Sequence, residues 1–305
     1  MLIKQACEDF IVKEISDVQI RDSGKYAYFT LTKNNYNTLD AIQRIADALN
    51  ISFSKFGFAG NKDKKAITEQ LVSIEGSTKN LKDLSLKDIK INIVGFGDSY
   101  ISIGDLKGNE FIITVRDLSN EELINFHNKT QKKPILLPNI FGEQRFSYQN
   151  VDVGRAILKR DFIKAAELLH LDIINNDYIG ALRKINKKIL RLYVHSFQSH
   201  IFNETVKRYK KPAKIPIVGF GTELEDYDKE LQNIIQNILN EEKISLRDFI
   251  TLKMPELSQE GGIRDSHIEI ENLEVINKTD DTITLKFFLK KGSYATVAID
   301  YLFKD

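Results

Sequence analysis

The chain has 305 residues, 42% of them hydrophobic, with 44 basic and 43 acidic side chains and a net charge of +1. That length and apolar content bury a full core in one large or two moderate domains, and the near balance of charge argues against a protein that binds polyanions over its whole surface. No apolar run approaches the ~20 residues that cross a bilayer, and the opening MLIKQACEDF lacks the apolar centre and cleavage site of a signal peptide, so the expected location is the cytoplasm, away from any membrane.

In chain order, residues 25–33 alternate as a strand, with Ala27, Phe29 and Leu31 on one face and Tyr26, Tyr28 and Thr30 on the other. Asn37-Thr38 offers an N-cap to a helix whose Leu39, Ile42, Ile45, Ala46 and Leu49 share one side, ending near Asn50. Strands are then expected at 70–75, 90–94, 100–106 and 110–117, and Ser119 with Glu122 forms a capping-box start for a short helix that stops before Lys132-Lys133-Pro134.

From Asp152 to about Arg208 the spacing turns helical. Ile185, Ile189, Leu192 and Ser196 are expected on one face of a helix, with Arg183, Lys184, Lys187, Lys188 and Arg191 recurring on another. Between Ala181 and Lys214 there are ten Lys or Arg and one acidic residue, Glu204, a basic face that is either solvated or meets an anion. Pro212 and Pro216 precede a second helical pattern at 227–239, and strands return at 267–276 and 282–289, joined as a hairpin through Lys278-Thr279-Asp280-Asp281. Strand-rich, helical, then strand-rich again: the order describes one sheet domain interrupted by an insertion.

The chemistry is placed in the stretch FAGNKDKKAITEQ, from Phe58 to Gln70, where Gly57 and Gly60 are expected to permit tight or positive-φ backbone and hold the Asp63 carboxylate on a bend. Taken alone, Asp63 also reads as an ordinary turn residue among the solvated Lys62, Lys64 and Lys65. A phosphate loop is excluded because Asn61 follows Gly60 where a Gly-Lys-Ser/Thr run is needed, and a guanine-reading Asn-Lys-x-Asp is excluded because position 64 is lysine. His195 and His200 are five apart, which suits neither a helical zinc pair nor a facial triad, and the lone Cys7 makes neither an internal disulfide nor a multi-thiolate metal site. No metal or cofactor is expected.

The run Gly60-Asn61-Lys62-Asp63-Lys64-Lys65-Ala66-Ile67-Thr68-Glu69-Gln70 resembles the catalytic motif of the TruD family of pseudouridine synthases, Gly-x-Lys-Asp-(Lys/Arg)-x-Ala-x-Thr-x-Gln. Four further segments follow the family's order: Lys4 with Glu8-Asp9-Phe10 and Val12-x-Glu14; Lys33 with Asn37-Thr38; Asn139-Ile140-Phe141-Gly142-Glu143-Gln144-Arg145-Phe146; and Lys291-Gly292-Ser293-Tyr294-Ala295-Thr296. Tyr193, Phe197, Gln198 and Phe202 match a fifth, read as support for the insertion. The likeness departs at Asp300-Tyr301, where the family has an Arg-Glu pair, and at Ser147, where glycine is common.

The resemblance implies an α+β fold: a mixed, largely antiparallel sheet flanked by helices, as a discontinuous catalytic domain over 1–150 and 259–305, with a mainly helical insertion over 151–258. It implies a tRNA pseudouridine synthase whose target is uridine 13 of the D-arm, with Asp63 as the catalytic carboxylate and Lys4 as its cationic neighbour. Phe141 would lie against the target base and Asn139 would order the site. Lys62, Lys64, Arg145, Arg183, Lys184, Lys187, Lys188 and Arg191 are candidate RNA contacts, Arg145 alternatively closing a turn. The other readings are a different or additional RNA target, and a catalytically idle RNA-binding module.

Overall fold

The computed structural model describes residues 1–76, 81–82, 84–147 and 149–304. In chain order the elements are β1 (Phe10–Ile15), β2 (Tyr26–Asn34), α1 (Thr38–Leu49), β3 (Phe56–Phe58), β4 (Ile67–Glu75), β5 (Ile89–Gly97), β6 (Gly108–Val115), α2 (Asn120–Thr130) and β7 (Leu136–Pro138). Then come α3 (Asn150–Leu158), α4 (Phe162–Leu168), α5 (Tyr178–Arg183), α6 (Lys187–Tyr209), β8 (Lys214–Ile217) and α7 (Lys229–Glu241). The chain closes with β9 (Gly262–Asp265), β10 (His267–Glu269), β11 (Glu271–Lys278), β12 (Ile283–Lys290) and α8 (Ala295–Phe303).

Two compact units result, one of residues 1–135, 269–295 and 299–305, the other of 136–268 and 296–298. Their boundaries differ from the expected 150/151 and 258/259. The segment after Leu136 joins the helical unit because α6 takes its polar groups: Asn203 brackets the Phe141 peptide, and Ser196 donates to the Arg145 carbonyl.

The first unit is built on a sheet in the order β11-β12-β6-β1-β4-β2-β5, with β3 beside β4. β1 runs parallel to β4 and the other described pairings are antiparallel. Alternation buries Phe10, Val12 and Glu14 of β1 on one face. Ala27, Phe29 and Leu31 of β2 pack against Ala41, Ile42, Ile45 and Ala46 of α1, so the expected inward face of that strand is the observed one; on the helix Ile42, Ile45 and Ala46 face inward as expected and Leu49 is partly buried, whereas Leu39, in the first turn, is exposed. Ser119 and Glu122 make the expected capping box on α2, and the expected hairpin closes through Thr279 and Thr282. Asn37 occupies the N-cap position, yet its side chain donates to Asp40 and makes no cap bond.

The strand expected at 100–106 does not form. The Ser73 hydroxyl accepts the Ile101 N–H, and Gly104, at φ 97°, turns the chain so that its N–H reaches the Ala59 carbonyl. Those local partners replace a ladder.

The second unit centres on α6, whose Leu190, Val194, Phe197, Ile201 and Phe202 are buried. This corrects the expected face. Ile189 and Leu192 are exposed, because α5 ends at Arg183 and Asn186 caps a new helix by accepting from the Lys188 N–H. The break shifts the helical phase, so one continuous periodicity across 183–196 is not realised. Gln198 donates to the Val218 carbonyl and ties α6 to the segment after β8. Among the described residues no helix is long and apolar enough to cross a membrane.

Candidate active site

Asp63 sits in the connection from β3 to β4, and three side chains fix that connection by its main chain. Gln70, on β4, donates from Nε2 to the Gly60 carbonyl at 3.0 Å and accepts from the Thr38 hydroxyl at 2.9 Å. Thr38, at the first turn of α1, in turn accepts the Lys62 N–H at 2.9 Å. Lys33, on β2 and 1% exposed, donates from its ammonium to the carbonyls of Tyr36, Lys62 (3.4 Å) and Asp63 (2.9 Å). The length of the motif therefore has a mechanical reason: its two ends, Gly60 and Gln70, are hydrogen-bonded to each other across the bend.

Glu14, buried on β1, holds the connection differently, through the Lys62 side chain and through β4. One of its oxygens accepts the Leu71 N–H at 3.3 Å, and the other lies 2.6 Å from the Lys62 ammonium, which also donates to Asn109 at 2.8 Å. The sequence places Lys62 among the RNA-contacting lysines; the structure turns its side chain inward instead. A carboxylate without solvent needs a cation beside it, and Lys62 supplies it. Lys64 and Lys65 remain exposed.

The glycines act differently from expectation. Neither Gly57 nor Gly60 has positive φ. Gly57 lies on β3 opposite Ser73, and a Cβ there would meet the Ile101 carbonyl and the Ser73 hydroxyl at 2.5 Å, so it is close approach that requires glycine. At Gly60 a Cβ would meet nothing within 4 Å.

Lys4 holds left-handed backbone beside the site, at φ 56°. Its flanks are anchored: Leu2 exchanges two main-chain hydrogen bonds with Arg116 (2.7 and 2.8 Å), and Asp9 accepts from the Ala6 N–H and from the Arg116 guanidinium. The Arg116 hydrogen bonds hold the Asp9 carboxyl below its usual range. Between these anchors the Lys4 ammonium reaches Asp63 Oδ2 at 2.5 Å and lies 4.0 Å from the centre of the Phe10 ring. Left-handed backbone costs on the order of 1–2 kcal/mol in a non-glycine residue, which a charge-assisted hydrogen bond of about 1.5–3 kcal/mol offsets. The Asp63 side chain, 37% exposed, thus presents a carboxylate whose backbone is immobilised and whose one oxygen is paired. Such a group can attack or stabilise an electron-poor carbon.

In the second unit, Asn139 is buried. Its Nδ2 donates to the Asp265 carbonyl, its Oδ1 accepts from Arg264 at 2.7 Å, and its carbonyl accepts from Arg264 Nε at 3.1 Å. The Arg264 guanidinium lies 4.4 Å from the centre of the half-buried Phe141 ring, which also packs edge-on against Phe202. Arg145 lies 5.5 Å from the same ring and donates to the Ser199 hydroxyl. Arg264 carries no sequence signal, since its partners are 123 to 125 residues away; Glu14, Lys33, Thr38 and Gln70 stand in the family-like motifs without a role that the sequence reveals. Lys184, Lys187 and Lys188 are exposed; Arg183 pairs with Glu256 at 3.0 Å, and Arg191 donates to the Glu256 carbonyl. His195 and His200 turn to Gln259 and Glu242, burial pushing the His195 imidazole below its ordinary value.

The family model described as tRNA pseudouridine synthase D (TruD) matches residues 1–174, 166–215 and 206–300. A Methanosarcina acetivorans protein described as a probable tRNA pseudouridine synthase D is 29% identical, with 97% of this chain and 91% of the relative covered. The Aquifex aeolicus tRNA pseudouridine synthase D is 25% identical over 99% of this chain and 97% of its own length. Among solved structures, a Methanosarcina mazei protein described as a candidate tRNA pseudouridine synthase D superposes with a TM-score of 0.78 at 24% identity, covering 99% of this chain and 93% of that one, a likeness of fold.

Proposed function

Because this chain belongs to the TruD family of tRNA pseudouridine synthases, we propose that it isomerises uridine 13 in the D-arm of tRNA to pseudouridine, with Asp63 as the catalytic carboxylate. In that reaction the bond from uracil N1 to ribose C1′ breaks, the base turns, C5 joins C1′, and the proton on C5 is lost while N1 gains one. No atom is added or removed. The carbon passes through a cation-like state, as in glycoside hydrolysis, so an adjacent carboxylate acts as nucleophile or electrostatic stabiliser.

The observation that carries the reading is the Lys4–Asp63 pair at 2.5 Å on a loop whose main chain is held by the buried Lys33. The cation aims the carboxylate through a charge-assisted hydrogen bond, and the held main chain spares reorganisation in the transition state. The unit that joins both ends of the chain then carries the chemistry. In the second unit, Phe141 and Asn139, both held by Arg264, are the residues proposed to meet the substrate RNA. The exposed Lys184, Lys187 and Lys188 supply sequence-independent contacts to phosphate.

The test is Asp63→Asn, incubated with tRNA and mapped for pseudouridine at every uridine. Product is expected to fall to background with tRNA affinity and melting temperature unchanged. A folded variant that modifies tRNA at the parent rate sinks the catalytic assignment, and a parent yield at other uridines alone sinks the uridine 13 target. A parent that binds tRNA and forms no pseudouridine favours the idle binding module.

A further inference from the structure

Three features in combination set Lys33 apart from the other described cations near the bend. Its side chain is buried, its ammonium spends its donors on the carbonyls of Tyr36, Lys62 and Asp63, and among the described residues no carboxylate lies within ion-pair distance of it. A lysine used for core packing alone would keep its head group at the surface. Here a strongly hydrated cation has been taken out of water and set against main-chain oxygens, two of them belonging to Asp63 and the residue before it. Burial of that kind costs free energy that the three carbonyl hydrogen bonds offset only in part, since no counter-charge among the described residues is paired with the ammonium.

We propose that Lys33 is a positioning residue for the reaction: its charged ammonium fixes the Asp63 peptide and adds a second positive charge behind the carboxylate, so that the competent loop exists while Lys33 is protonated. This rests on the assignment of Asp63 above. As an ammonium, Lys33 has a donor for each of the three carbonyls; as a neutral amine it has two hydrogens and no charge. Losing its proton therefore loosens the bend and weakens the field on Asp63 in one step.

The surroundings make that proton accessible near physiological pH. Burial pushes the Lys33 amine down to about 8, while the negative charge of Asp63 opposes the shift, Lys62 adds to it and Cys7 opposes it. Those are the charged and titratable groups that face Lys33, from the catalytic loop and from the segment before β1. Two consequences have opposite signs. Activity falls as pH rises through about 8. Stability moves the other way: between that value and the ordinary lysine value the unfolded chain holds a proton the folded chain has lost, so folding is favoured as pH rises.

The test measures kcat, KM for tRNA and melting temperature from about pH 6.5 to 9 for the parent and for Lys33→Met, which keeps the length of the side chain without the charge. In the parent, kcat is expected to drop about tenfold per pH unit above the transition with KM unchanged. In Lys33→Met, kcat is expected at least tenfold lower near neutrality with no alkaline limb, and the melting difference should shift in the parent's favour towards high pH. A Lys33→Met protein with parental kcat, or one retaining the parent's alkaline limb, overturns the proposal. Should Lys33→Met fail to fold, the parent profile decides, and a kcat flat from about pH 7 to 9 overturns it. Failure of the Asp63 assignment is separate: it shows as activity in Asp63→Asn, with the parent profile untouched.

Discussion

Lys4 and Asp63, 59 residues apart in sequence, meet as an ion pair of 2.5 Å, and the lysine holds left-handed backbone to make it. The pair couples the first residues of the chain to the bend between β3 and β4, and it permits a substitution that separates backbone strain from charge.

Lys4→Gly removes the ammonium and fits the left-handed backbone better than lysine does. Stability should hold within about 1 kcal/mol, strain relief balancing the removal of the side chain, while turnover falls by roughly ten- to hundredfold, the value of a charge-assisted hydrogen bond. Lys4→Met should lose the same activity without the strain relief. Thermal melts and single-turnover rates on both variants check this, and parental turnover in Lys4→Gly would remove the ammonium from the mechanism.

Glu14 and Lys62 form a pair with side chains 0% and 7% exposed, so breaking it from either side leaves a buried charge alone. Glu14→Gln and Lys62→Met should each cost on the order of 3–5 kcal/mol. The double variant should be more stable than either single, because the Gln carbonyl still accepts from the Leu71 N–H and no charge is left over. Denaturant unfolding of the cycle measures the coupling, and additive single effects would contradict a buried pair.

The two glycines before Asp63 should respond oppositely. Gly57→Ala places a Cβ 2.5 Å from the Ile101 carbonyl and the Ser73 hydroxyl and should cost about 1–3 kcal/mol. Gly60→Ala meets open space and should stay within about 0.5 kcal/mol of the parent. Equal melting temperatures for the two variants would contradict the close approach of the 99–102 segment to β3.

Binding of tRNA should weaken with salt. Changing the exposed Lys184, Lys187 and Lys188 to glutamine should flatten that dependence by about 0.7 to 0.9 in the log–log slope for each phosphate left unneutralised. Affinity measured across a salt series at fixed pH checks it. An unchanged slope would place the RNA on another surface.

What the sequence determined by itself was whatever depends on neighbours along the chain. The alternation in β2, the inward face of α1, the capping box at Ser119 and Glu122 and the turn at Thr279 all rest on periods or pairings of a few residues. The motif from Gly60 to Gln70 also located the bend that carries Asp63. Tertiary structure decided which charges face inward, because a lysine's burial depends on what the fold sets opposite it. Lys62 reads the same as Lys64 in a run of basic residues, and Glu14 across the sheet makes them different. Lys33 reads as the polar end of a strand, and the bend returning over it removes its water. The phase of α6 was likewise set by a cap at Asn186 and by the core beneath it. Arg264 joins Asn139 and Phe141 from about 125 residues away, a relation that no local pattern contains.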